Sequence, residues 1–146
     1  MNVTEARDAI RQYYFDNITS GVQPVQFYTQ HDNEPLTDNA GAPISKTDSP
    51  WVRFSFSIVE SNQVEVSKLG SNTHRHSGMS IAQVFVPVDK SDGDAWSISQ
   101  FIADKFRGVI VGTHVRFSTP SFRVVGRSDS FWQINVICPF HFDEIG

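Results

Sequence analysis

The chain has 146 residues, 39% hydrophobic and 12% aromatic, with a formal net charge of −4. That length fits one domain, residues 1–146, whose core of bulky residues (twelve are phenylalanine) needs neither metal nor disulfide. The charge balance lacks the basic excess of a general nucleic-acid binder, the single cysteine excludes an internal disulfide, and no apolar run approaches the ~20 residues of a spanning helix.

The charge is unevenly placed. Residues 1–50 hold three bases against seven acids, whereas residues 51–146 hold nine of each. The N-terminal MNVTEARDAI has no apolar h-region, so no signal peptide is expected, and a lone cysteine suits a reducing compartment. The two matches to the glycosylation sequon, at Asn2 and Asn17, then carry no weight.

The first expected element is a helix over Asn2–Asn17. Asn2 can cap it, with Glu5 three residues on completing a capping box. Val3, Ala6, Ile10, Tyr13 and Tyr14 share a stripe at helical spacing, and Phe15 lies off it. Val25–Tyr28 is a short strand candidate. Residues 29–50 hold three prolines and several Asp and Asn, and read as a long, mobile loop.

Trp51–Glu60 alternates. Val52, Phe54, Phe56 and Ile58 share one face; Trp51, Arg53, Ser55 and Ser57 share the other. Ser61–Gln63 reads as a break, and Val64–Lys68 as extended again. The polar stretch SNTHRHSGM, Ser71–Met79, reads as the loop of a hairpin. Met79–Val88 is the next strand, with Ala82, Val84, Val86 and Val88 opposite Ile81, Gln83 and Phe85. A second helix is expected over Ser91–Phe106, capped by Ser91 and stopped by Gly108. Its stripe is Ala95, Ile98, Phe101, Ile102 and Phe106, with Trp96 pointing away. Strand candidates His114–Ser118 and Phe122–Val125 follow, then a turn at Gly126–Ser130. A final strand, Phe131–Phe142, puts Trp132, Ile134, Val136, Cys138 and Phe140 on one face. The pattern predicts an α+β fold: a mostly antiparallel sheet of about five strands with two helices on one face.

His74 and His76 would point the same way on an extended loop, as a chelating pair needs. A third ligand could come from His31, His114 or His141, but no metal-binding motif is present. Cys138 and His141, three apart on a strand, fall on opposite faces, so Cys138 reads as a small buried hydrophobe. No nucleophile elbow, phosphate loop or dinucleotide fingerprint occurs, and no cofactor is expected. A small metal-dependent hydrolase and a cytosolic ligand-binding domain remain as alternative readings. Phe15, Trp51 and Trp96 lie off their core faces. Phe131, Gln133, Asn135 and Ile137 give the last strand a half-apolar second face. These residues point to a subunit interface, or else to a strand buried on both sides within one chain.

Several segments in this order resemble the tail terminator (tail-completion) proteins of long-tailed bacteriophages. They are Phe27-Tyr28 after the first helix, Pro50-Trp51-Val52-Arg53, the loop His74-Arg75-His76-Ser77-Gly78, and Ile81 to Pro87. Ile102 to Gly108, Val125-Gly126, Phe131 to Val136 and Pro139 to Glu144 complete the set. The resemblance covers nearly the whole chain. It implies a non-enzymatic ring, commonly a hexamer and often monomeric when free. The ring would sit on the head-proximal end of the tail tube. Its partners would be itself, the tube protein and a head–tail connector or neck protein. DNA would pass only in transit, and no membrane is involved. The place would be the virion, and the host cytoplasm during assembly. In such a ring Lys68, His74, Arg75 and His76 would form a loop facing the tube or the lumen. A different neck or head-closure protein is the nearest alternative.

Overall fold

The computed structural model describes residues 1–43, 49–65, 72–88, 92–128 and 130–145. The expected cap Ser91 and the expected loop residue Lys68 lie outside them. The elements in chain order are α1 (Val3–Tyr14), a single π turn (Phe15–Thr19), β1 (Tyr28–His31), β2 (Trp51–Glu65), β3 (Thr73–Pro87), α2 (Gly93–Phe106), β4 (Ile110–Val111), β5 (Val115–Phe117), β6 (Ser121–Ser128) and β7 (Phe131–Ile145).

The capping box forms: Asn2 accepts from the Glu5 amide while Glu5 accepts from that of Asn2. Ala6, Ile10 and Tyr14 bury the α1 stripe, and Ala95, Ile98, Ile102 and Phe106 bury that of α2. Gly108 ends α2's connection with φ +65, a conformation glycine reaches without a Cβ clash.

Among the described residues the strands form one seven-stranded sheet in the order β1-β2-β3-β7-β5-β4, with β6 also paired to β7. The α+β class holds, but seven strands replace the expected five, and β1 runs parallel to β2. The first strand also begins three residues later than expected. In the segment after it Thr37 bridges Thr29, and the Asp38 carboxylate accepts from the Ala40 and Ala42 amides.

The expected break at Ser61–Gln63 does not occur. β2 absorbs it with register shifts between Ile58 and Glu60 and between Gln63 and Glu65, as extra residues do in a bulge. Gly126 likewise is not in the turn but at a register shift inside β6, with φ +97. β2, β3 and β7 are each 15 residues long, an extended reach of ~50 Å.

Alternation decides the two faces. Val52, Phe54, Ala82, Val84, Val86, Ile134, Val136, Cys138, Phe140 and Phe142 turn toward the helices and are buried. Tyr14, Phe54, Phe106, Phe117, Phe140 and Phe142 form a continuous run of rings there, with neighbouring centroids 4.4 to 6.2 Å apart. Burial pushes the Cys138 thiol up to about 12, as expected of an apolar filler.

Candidate functional site

The other face of the sheet carries the residues of interest. Both helices pack on the inner face, and among the described residues none covers the outer one. Paired residues in antiparallel strands point the same way, so the register brings Trp51, Phe85 and Gln133 together, with Phe131 one step along β7. Trp51 and Phe85 stack with centroids 4.3 Å apart, and Phe131 meets both edge-on at 6.3 Å. The Arg53 guanidinium lies 5.5 Å from the Trp51 ring centre and 5.9 Å from that of Phe85. Gln133 donates to the Asn135 side chain at 2.8 Å. These groups surround a cavity of about 420 Å³ lined by Trp51, Arg53, Gln83, Phe85, Ser130, Phe131 and Gln133. Met79, Ile81 and Ile137 continue the same face, only half-buried.

Four of the six residues expected at an interface (Trp51, Phe131, Gln133 and Asn135) therefore meet on one surface. The other two do not join them. Phe15 is exposed at the start of the π turn, and Trp96, 40% exposed, lies on α2 with its ring against Phe122 of β6. Phe85 and Arg53 complete the surface. Their alternation was legible in each strand, but which residues of β2, β3 and β7 would meet is a matter of register.

His74, Arg75 and His76 are not in a loop: they belong to β3. Arg75 sits opposite Asp143 on the outer face and donates two hydrogen bonds to it, at 2.9 and 3.2 Å. Hydrogen bonding from this guanidinium holds the Asp143 carboxyl below the usual carboxylate range. His76 turns to the inner face, over Phe142. One ring nitrogen lies 2.8 Å from the Glu144 carboxylate and the other 2.7 Å from the Ser61 hydroxyl. With both nitrogens engaged, His76 keeps no lone pair for an ion. Among the described residues no three His, Cys, Asp or Glu side chains come together as a metal site would require. That Ser61 and Glu144 pair with His76, and Asp143 with Arg75, is not legible in the sequence, because the partners are strands away.

A second concavity, of about 440 Å³, lies between α1 and the segment after β1, lined by Arg11, Phe15, His31 and Asn39 among others. His31 packs edge-on against Tyr14 and Phe54. Burial lowers its pKa, and Arg11 adds to this; Glu34 and Asp32 oppose them. A histidine kept neutral in the fold stabilises it above the unfolded pKa of about 6.5. That contribution is lost as pH falls toward the folded value, because the unfolded chain then binds a proton the folded chain does not. Stability should therefore fall below pH ~6.5, and His31→Gln should flatten that part of a Tm-against-pH curve. An unchanged slope in the variant would assign the loss to other groups.

No family model matches the chain, and no curated protein matches it significantly. Nineteen solved chains do match. One of them is similar with a TM-score of 0.64 at 12% identity, over 93% of this chain and 94% of that one. At that identity the likeness shows the fold alone.

Proposed function

We propose that this protein is a structural assembly protein of a long-tailed phage. It closes into a ring, commonly of six copies, on the head-proximal end of the tail tube, stops tube growth and offers the surface to which the neck joins. No reaction is asked of it. The sequence resemblance supplies the identity of the assembly. The observation that carries the assembly reading is the outer sheet face, which no described residue covers, and where Trp51, Phe85 and Phe131 are packed on one another. A contiguous half-buried aromatic surface of this kind belongs to protein–protein contact. The hydrolase reading has less support, since the His76 ring nitrogens are both committed to neighbours.

Electron microscopy of tails made with and without the protein tests the reading. Tails that overrun their normal length in its absence are the expected result. Tails of normal length that fail to join heads would instead make it a neck or head-closure protein. Normal tails carrying normal heads would refute both.

A further inference from the structure

The charges of the molecule are sorted by face. On the outer sheet face the register places Arg53, Arg75, Arg116 and Arg123, all exposed, against Glu60 and Asp143 among the described side chains. The end around the aromatic cavity holds Arg53 and Arg123 and no described carboxylate. The opposite layer is acidic. α1 and its π turn carry Glu5, Asp8 and Asp16 against Arg7 and Arg11, and the segment after β1 adds Asp32, Glu34 and Asp38. α2 with its cap carries Asp92, Asp94 and Asp104 against Lys105 and Arg107. One exposed aromatic side chain stands in this acidic layer. Phe15, 49% exposed, opens the π turn after α1 and shares a concavity with Asp8, Arg11 and Gln12; Asp16 accepts from Gln12 at 2.9 Å and Asp8 from Arg7 at 2.9 Å.

We infer that the outer sheet face receives the helix layer of a second copy of this chain, with Phe15 entering the cavity beside Trp51 and Phe131 while Asp8 and Asp16 approach Arg53 and Arg123. This rests on the ring reading above and names its contact. The two surfaces differ, so the contact is head-to-tail and repeats from copy to copy, as a closed ring requires. An aromatic anchor in a pocket rimmed by opposite charge is also the arrangement in which few residues carry most of the association energy. The competing sheet-to-sheet arrangement would bring two basic faces together.

A charge exchange tests it. The sheet variant is Arg53→Glu with Arg123→Glu; the helix variant is Asp8→Lys with Asp16→Lys. In analytical ultracentrifugation at millimolar concentration and low ionic strength, the wild type should associate and dissociate as salt is added. Each variant alone should remain monomeric, since its two faces then carry the same sign. An equimolar mixture should recover association, which also shows that both variants are folded. Four results would overturn the proposal: a wild type monomeric throughout, a helix variant that self-associates like the wild type, a mixture that stays monomeric, or binding only to a different protein. The ring reading fails separately: tails of normal length without the gene would remove it even if the mixture associates. Overlong tails with a monomeric mixture would leave the ring and remove this contact.

Discussion

Tyr14→Ala should destabilise the protein by about 4 kcal/mol, a large part of the 5–15 kcal/mol that holds a typical domain folded. Tyr14 is fully buried, and its ring lies 4.4 Å from that of Phe54 and 5.6 Å from that of His31. Its hydroxyl meets that of Thr29 at 2.8 Å. The residue thus joins the first helix to the first two strands, and its removal leaves a cavity where three elements meet. Tyr14→Phe separates the two contributions. It keeps the ring and leaves the buried Thr29 hydroxyl without its partner, a loss of about 1–2 kcal/mol. Urea unfolding measures both, as a lower midpoint at unchanged slope. Equal losses for the two variants would mean that the hydroxyl pair, and not the ring, holds the helix in place.

The second large effect is expected at Gly78. A Cβ built there would lie 2.2 Å from the Ser57 carbonyl oxygen and 2.8 Å from the tip of the Phe140 ring. The strands come this close beside the register shift of β2, where Gly78 pairs with Ile58. Gly78→Val should cost about 3 kcal/mol or more, because the backbone of β2 has to move. Trimming the ring with Phe140→Leu should not rescue it, since the carbonyl stays where it is. Gly126→Ala makes the useful contrast. Nothing stands near its Cβ, but φ is +97, so its cost, about 1–2 kcal/mol, is backbone strain alone. If Gly78→Val melts at the wild-type temperature, the close approach of the strands is not real.

The parts of this fold that could be read in advance are those set by local periodicity. The capping box, both helical stripes and the alternation of β2, β3 and β7 follow from residues within a turn or a strand of one another. The sequence places β1 three residues too early because Gln30 and His31 open a polar run that continues to Glu34 and hides the alternation of a half-buried strand. The hairpin of β2 and β3 is longer than the sequence suggests because Ser61–Gln63 and the His74–His76 run are polar. Near the far end of long strands polar side chains cost little, and here they pair with one another across the strands. Of the interface candidates, those on β7 and Trp51 were recognisable as off-core residues. Phe85 and Arg53, which complete the cluster, were recognisable only as members of an outer face. The difference is register, which depends on the whole sheet and not on any one segment.

The position of β7 bears on how the chain folds during synthesis. It is the last of the seven strands in chain order, yet it lies inside the sheet, bonded to β3 along one side and to β5 and β6 along the other. Until residues 131–145 have left the ribosome, β3 keeps one open edge and β5 and β6 lack the strand they pair with. Until then the nascent chain must carry unpaired strand edges and the apolar faces of α1 and α2, the condition under which chains aggregate or recruit chaperones. Chain terminated before Phe131 should then be degraded or insoluble, while loss of residues after Phe142 should be tolerated in the folded core. Commitment to the native state is thereby delayed to the end of the domain's synthesis.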